Sequence, residues 1–260
     1  MAIIWQKKHG GNLYEVRKAG NSLRLYTDGI FHSQWNPRRP LAGHLWDLLF
    51  LPALFHERVW NLEECILLGL GGGAVVNMLN TFARVKHITA VDLDPIHLHV
   101  AKRYFIEDNK NVSLIKNDAR VFVERLAANK HAHEKADIII DDLFYGVDSE
   151  GGSKHRDAVR AIDVDEAWLS VLSRSLHADG ILVTNFESES QMRQALKSKL
   201  LKSAGFVSRV YFRHPRYENV IAVCFKADRD IGLFKRNLAR LKSDFSRLQV
   251  GGLLYELVVR

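Results

Sequence analysis

The chain has 260 residues, 47% of them hydrophobic, and its 37 Lys and Arg against 30 Asp and Glu give a formal net charge of +7. That length buries one substantial α/β core with small appendages, and no apolar run reaches the ~18 residues of a membrane span. Trp5-Gln6-Lys7-Lys8 interrupts any signal-peptide pattern, and the two cysteines, Cys65 and Cys224, fall in predicted core strands, so free thiols in a reducing cytoplasm are expected.

The first elements are short. Leu13–Val16, Leu23–Tyr26 and Ile30–Trp35 alternate in polarity around Gly20-Asn21 and Asp28-Gly29, which predicts a three-stranded antiparallel meander within residues 1–40. Pro37-Arg38-Arg39-Pro40 marks the boundary to a helix over Leu41–Leu54, because proline disfavours helical geometry before it. The apolar run Ile66–Leu68 enters a glycine cluster, Gly69, Gly71, Gly72 and Gly73; a helical stretch follows, and a second apolar run ends at Asp92. Then come a helix (Pro95–Tyr104), a strand (Val112–Ile115) ending in Asn117-Asp118, a helix (Ala119–Ala128) and a strand (Ala136–Ile140) closing on Asp141-Asp142. Gly146–Arg156 reads as a loop, with Gly151-Gly152-Ser153 placed to hinge a lid. A helix over Asp163–Leu176, an Asp179-Gly180 turn, a strand over Ile181–Thr184 and two β-rich runs, Phe206–Phe212 and Asn219–Phe225, complete residues 41–227. Strands alternating with helices predict a doubly wound, mostly parallel α/β sheet finished by an antiparallel pair. Residues 228–260 read as a helical extension, since Asp230–Leu248 has helical periodicity and a basic face of Lys235, Arg236, Arg240, Lys242 and Arg247.

The glycine cluster and Asp92 carry the first chemical signal. Glycines let the backbone approach a ligand, a helix amino terminus offers free N–H groups, and an acidic side chain about 20 residues on can bind two ribose hydroxyls. AVVN after the cluster, in place of G-K-[ST], disfavours a P-loop, and a carboxylate at Asp92 repels a 2′-phosphate. NAD, FAD and an adenosyl-sulfonium cofactor remain. Asp142 stands at the carboxyl end of a central strand, where open α/β sheets bind ligands, and is the candidate general base. Phe144 and Tyr145 follow as an aromatic wall suited to a planar or cationic acceptor. His97-x-His99 and His131-x-His133 read as surface histidines, because residues two apart on a helix point in different directions. No metal is expected, and no G-x-S-x-G elbow occurs.

In order and spacing, the glycine cluster, V-D-L-D, N-D-A-R-V-F and D-I-I-I-D-D-L-F-Y-G resemble the spermidine synthase (polyamine aminopropyltransferase) family, from roughly Tyr14 to Phe225. Its members read G-G-G-D-G-G, V-E-I-D, G-D-G-R-E-F and D-V-I-I-x-D-S-S-D-P at these places. The resemblance implies the class I methyltransferase, Rossmann-like fold: a seven-stranded sheet beside a shortened amino-terminal β-unit. It further implies that Asp92 holds the ribose, that Asp118, with Ala119 beside it, reads the adenine amine, and that Asp142 deprotonates the attacking amine. A homodimer and a gate loop over Gly146–Arg156 belong to the same resemblance.

The acceptor pocket departs from the family at specific positions. Gly72 replaces the aspartate that meets the aminopropyl amine of decarboxylated S-adenosylmethionine, and Tyr145 replaces the one that meets the polyamine. His32 stands where the family has glutamine, and His44 is kept while the tyrosine before it becomes Gly43. Both lost carboxylates would face ammonium groups, and an unpaired buried ammonium is costly. The expectation is therefore an S-adenosylmethionine-type cofactor, ordinary or decarboxylated, and transfer of a methyl or aminopropyl group to a small amine, with classical polyamine biosynthesis altered. Gly72 also removes a group that would repel the carboxylate of ordinary S-adenosylmethionine. The net charge, and a likeness of D-L-F-Y to the D-P-P-Y motif of adenine amino methyltransferases, leave a nucleic-acid methyltransferase open as an alternative. A non-catalytic nucleoside-binding member is the third reading.

Overall fold

The computed structural model describes residues 1–106, 110–129, 135–148, 156–248 and 250–259. Its first unit is a four-stranded antiparallel sheet, β1 (Ala2–His9), β2 (Asn12–Ala19), β3 (Ser22–Thr27) and β4 (Ile30–Trp35), in that order. Asp28 and Gly29 both have positive φ, 49° and 84°, the conformation that a tight two-residue hairpin turn requires. The sequence pattern predicts three of these strands. It misses β1 because this edge strand is exposed along almost its whole length and bulges between Ile3 and Trp5, so no alternation marks it.

The predicted helix over Leu41–Leu54 is shorter and starts later, as α1 (Leu45–Phe50) followed by a 3-10 turn (Leu51–Phe55). Gly43, at φ 78°, and His44 donate their backbone N–H groups to Asp47 Oδ2 at 2.7 and 3.3 Å, which fixes the helix start there.

The second unit alternates: β5 (Glu64–Leu68), α2 (Ala74–Phe82), β6 (His87–Asp92), α3 (Pro95–Val100), β7 (Val112–Lys116), α4 (Ala119–Ala128) and β8 (Ala136–Asp141). A ribbon of β9 (Phe144–Asp148) and β10 (Arg156–Arg160) precedes α5 (Glu166–Arg174), β11 (Leu176–Phe186), α6 (Glu189–Ala195), α7 (Ser198–Ser203), β12 (Ser208–Arg213) and β13 (Val220–Phe225). The chain continues through α8 (Ile231–Asp244) to β14 (Glu256–Val259). The main sheet has the order β14-β12-β13-β11-β8-β5-β6-β7, parallel from β11 to β7 and antiparallel from β11 to β14. It has eight strands where seven were expected, because residues 228–260 are not wholly helical: β14 pairs with β12, from Val210↔Val259 to Arg213↔Glu256.

Alternation divides the sheet's two faces. Cys65, Leu67, Ile88, Ala90, Ile138 and Ile140 pack with α1, α2 and α8, in a cluster that also takes in Tyr14, Val16 and Leu25 of the first sheet. Ile66, Leu68, Val91 and Ile139 pack instead against Val123 of α4, Trp168 and Leu172 of α5, and Met192 of α6. Asp179-Gly180, expected as a turn, lies within β11, where the register with β8 shifts between Leu176 and Ile181. Both cysteines are free and buried. Among the described residues, no helix is long and apolar enough to cross a membrane.

The stretch expected as a loop is in part a hairpin, Phe144–Asp148 paired with Arg156–Arg160. The proposed Gly151-Gly152-Ser153 hinge, like His131 and His133, falls outside the described residues. A buried ion pair fastens this ribbon to the sheet. Arg160 Nη2 donates to both oxygens of Asp141, at 3.0 and 2.8 Å, and Trp168 Nε1 donates to Asp141 Oδ2 at 3.0 Å. The same guanidinium reaches the backbone carbonyls of Asn185 and Ile162. Removing one partner of such a pair leaves a buried charge uncompensated, so Arg160→Ala should destabilise the protein by about 3–5 kcal/mol in equilibrium denaturant unfolding. A loss below about 1 kcal/mol, the scale of a solvated surface pair, would show that the pair is dispensable.

Candidate functional site

A cavity of about 1160 Å³ lies between the first sheet and the carboxyl ends of the main sheet's strands. Gly69, Asp92, Asn117, Asp142 and Asn185, at the ends of β5, β6, β7, β8 and β11, form one wall; Tyr14, Thr27, Phe31 and His32 of the first sheet form the other. β5 sits where the sheet's winding reverses, the place at which open α/β sheets take ligands.

Gly69 is demanded by this arrangement. It has φ 88°, and a Cβ there would stand 2.2 Å from the Asp142 carbonyl oxygen, so the ends of β5 and β8 meet only because the side chain is absent. Gly71, at φ 52°, would place a Cβ 2.9 Å from the His32 carbonyl oxygen. Gly72 and Gly73 do not line the cavity: a Cβ at 72 would lie 2.8 Å from Ser33 Cβ and 3.1 Å from the Phe105 ring, and one at 73 would lie 2.6 Å from Ile106. Position 72 thus faces packed side chains, and a Cβ there requires Ser33 and Phe105 to shift.

Asp92 is held by its surroundings. Its Oδ2 accepts from the backbone N–H of Leu70 (2.9 Å) and Gly71 (3.3 Å), and its Oδ1 accepts from Asp94 N–H (2.8 Å). His97 Nδ1 lies 3.6 Å from Oδ2. Burial alone would raise the Asp92 pKa, but His97 and these N–H donors together hold it below the ordinary value. Burial likewise works against a charged His97, and Asp92 and Asp94 outweigh it, so the imidazole pKa is raised. His97 is therefore not the surface residue that its spacing suggested. It is buried, with Nε2 3.0 Å from Thr27 Oγ1 and its ring 4.9 Å from that of His32. His99 is exposed, its ring 6.0 Å from that of Trp5. Burial, and then the charge on His97, push the His32 pKa down to about 3, so His32 is a neutral wall of the cavity. Tyr14 donates its hydroxyl to Asp94 Oδ2 at 2.6 Å; burial and that bond push its pKa up to about 12.

Asp118 and Ala119 line the cavity at the start of α4. Asp118 Oδ1 caps the helix, accepting from Arg120 and Val121 N–H at 2.8 and 3.1 Å, which leaves Oδ2 able to accept from a ligand.

At the other end stands Asp142, whose Oδ1 accepts from Asn185 Nδ2 at 2.8 Å. Burial raises its pKa to about 6; the Asn185 bond and Arg160 oppose the rise, and Asp141 and Asp92 add to it. Phe144 and Tyr145 line this end, Tyr145 half exposed, together with Trp46 and Tyr217. His44 does not line the cavity; its Nε2 lies 2.5 Å from Gln34 Nε2. Residues that the sequence reading missed are Asn185, Glu187, Asp157 and Glu218. Asn185 and Glu187 follow the predicted strand Ile181–Thr184 directly, at the same sheet edge that singled out Asp142.

Among the described residues, one group has the ligand types and spacing to hold a metal: His56, Asp137 and Asp179, at the opposite end of β8. Arg58 already donates to Asp137 at 2.7 Å, and Arg58 and Arg229 flank Asp179 at 3.6 and 3.9 Å, so the two carboxylates are balanced without a cation.

The FtsJ-like methyltransferase family model matches residues 54–223. A polyamine aminopropyltransferase of Vibrio vulnificus is 30% identical over 156 residues, which are 60% of this chain and 44% of that protein. An eEF1A lysine and N-terminal methyltransferase homolog of Drosophila pseudoobscura pseudoobscura is 34% identical over 89 residues, 34% of this chain and 12% of that protein. The chain thus spans less than half the length of either relative. The crystal structure of a probable spermidine synthase from Corynebacterium glutamicum superposes with a TM-score of 0.72 at 16% identity, covering all of this chain and 91% of that one. At that identity the likeness is one of fold.

Asp92 offers the cavity a carboxylate that is already oriented. If it accepts from the ribose hydroxyls, Asp92→Asn, which keeps the shape and loses the charge, should weaken S-adenosylmethionine binding about tenfold or more. An unchanged affinity in calorimetric titration removes Asp92 from that role.

Proposed function

The chain belongs to the FtsJ-like methyltransferase family, and from that premise we propose that it transfers a methyl group from S-adenosylmethionine to an amine. One observation carries the acceptor's class. Asp92, Asp94 and Asp118 line the cavity on the β6–β7 side, and Asp142, Asp157, Glu187 and Glu218 line it on the β8–β11–β13 side, with no Lys or Arg among the described lining residues. In a chain of net charge +7 this is a local inversion of sign. Such a wall repels a phosphate backbone and favours an ammonium. The nucleic-acid reading loses support accordingly. Asp157, Glu187 and Glu218 line the same cavity as Tyr145 and offer carboxylates to an acceptor ammonium where Tyr145 has none, although Glu187 Oε1 already accepts from Arg160 N–H at 2.7 Å.

The cofactor's adenosine fits the end bearing Asp92 and Asp118, which puts the sulfonium toward Asp142. Transfer from a sulfonium is an in-line displacement, so the acceptor must present a neutral nitrogen lone pair aligned with the reacting carbon. An amine with pKa near ~10 must first lose a proton, and Asp142 is the base suited to take it. The new bond is N–C, the bond broken is C–S, and the leaving thioether takes the electron pair.

A second reading, aminopropyl transfer from decarboxylated S-adenosylmethionine, is favoured by the same wall. Among the described lining residues the carboxylate of ordinary S-adenosylmethionine finds no Lys or Arg, whereas an aminopropyl ammonium finds carboxylates. Calorimetry with the two cofactors separates the readings: methyl transfer requires the ordinary form to bind at least as well. The resemblance to a homodimeric family supports a homodimer, and the buried free thiols suit a reducing cytoplasm.

Asp142 gives the pH dependence its sign. Only the ionised carboxylate accepts a proton, so kcat/KM should fall as pH drops through about 6. Asp142→Asn should retain cofactor affinity and lose about 10²–10⁴-fold in turnover. An asparagine variant with full activity reassigns Asp142 to structure, and efficient methylation of RNA but not of amines replaces the acceptor class.

A further inference from the structure

Asn185 is 3% exposed and stands between two polar side chains. Its Nδ2 donates to Asp142 Oδ1 at 2.8 Å, and its Oδ1 accepts from Asn219 Nδ2 at 3.1 Å. The three residues lie on different segments: Asp142 follows β8, Asn185 is in β11, and Asn219 immediately precedes β13. β11 pairs with both neighbouring strands, Thr184 with Asp141 and Asn185 with Ile221, so the sheet fixes the backbone of Asn185 and of the residues next to Asp142 and Asn219, and Asp142 N–H donates to the Leu68 carbonyl at 2.9 Å.

We propose that Asn219 and Asn185 are positioning residues for Asp142, forming a hydrogen-bond relay of fixed direction in which Asn219 sets the Asn185 amide and that amide aims the Asp142 carboxylate. This rests on the reading of Asp142 as the base. The direction follows from donor and acceptor chemistry. An ionised carboxylate only accepts, so the Asn185 atom facing it must be the amide nitrogen, and the amide oxygen is then turned to a neighbour that must donate. Asn219 supplies that donor. A flipped Asn185 would turn its carbonyl oxygen on the carboxylate and its amide nitrogen on the Asn219 donor, so Asn219 reinforces the orientation that the carboxylate selects.

The charged groups around Asp142 are Asp141 and Arg160, which neutralise each other through Arg160 Nη2, and Asp92 across the cavity; Glu187, Asp157 and Glu218 line the same end, and His32 is neutral. Against that acidic background the Asn185 N–H is the direct donor that favours the ionised form. Its position also suits catalysis, since it occupies Oδ1 and leaves Oδ2 for the acceptor proton.

The test reads Asp142 directly, in the full chain and without an acceptor. Protein labelled with ¹³C at aspartate Cγ is titrated by NMR, with the Asp142 resonance identified by its loss in Asp142→Asn. Asn185→Ala should move the midpoint up by about one pH unit or more, the loss of one hydrogen bond to a charged group. Asn219→Ala should move it in the same direction by less, Asn219→Gln should restore it, and Asn219→Ala should add nothing in an Asn185→Ala background. An unmoved midpoint in Asn219→Ala, or a shift that persists when Asn185 is absent, overturns the relay. Asn219→Gln guards against misfolding, because a general disruption is not rescued by another amide. These readings stand apart from turnover: full activity in Asp142→Asn would sink the assignment of the base while leaving the relay measurable. Once an acceptor is in hand, Asn219→Ala should lower kcat and leave the cofactor KM in place.

Discussion

The Arg160–Asp141 pair is the constraint on which the site's geometry depends. It joins three things that sequence keeps apart: the carboxyl end of β8, the β9–β10 ribbon and, through the Asn185 carbonyl, the end of β11. The two aspartates of the D-D pair have opposite tasks because a strand turns successive side chains to opposite faces. Asp141 goes into the layer with Trp168 and is consumed by Arg160, and Asp142 goes to the cavity. Had the ribbon lacked its arginine, Asp141 would be a buried unpaired charge beside the proposed base, and Phe144 and Tyr145 would have no fixed place on the wall.

The parts of the fold that were legible in the sequence are those in which local pattern and burial coincide. Central strands are buried on both faces, and Ile66–Leu68 and Ile138–Ile140 read as continuous apolar runs. The order of glycines, Asp92, Asp118 and Asp142 along the carboxyl ends follows from that alternation. Two edge strands were not legible, whereas the edge strands β4 and β7 were. β1 and β14 bury little, so neither periodicity nor hydrophobicity distinguishes them from coil. β14 is recognisable only through its partner β12, a long-range pairing that no local window contains.

The site was partly legible for the same reason. The side proposed for the nucleoside rests on motifs whose residues line the cavity where they stand in the chain. Its other side depends on which element covers which. His97 looked like a surface residue because a helix pattern does not reveal that Thr27 and Tyr14, far upstream, close over it. Gly72 looked like a vacated carboxylate site, but Ser33 and Phe105 pack against that position. Asn185 lies inside β11, which extends beyond the expected Ile181–Thr184 to Phe186, and Glu187 follows its last residue, so the apolar run that marks the strand ends before both.

The contrast between a basic molecule and a carboxylate-lined cavity bears on the speed of encounter as well as on affinity. Far from the surface, an approaching cation meets the field of a +7 body and is repelled; only near the mouth do the walls draw it in. Dissolved salt weakens the distant field first, since the screening length at physiological ionic strength is about 8 Å, and charges within a cavity are screened less. For a cationic ligand of this protein, added salt therefore hastens arrival before it loosens the hold, the reverse of the usual course for oppositely charged partners.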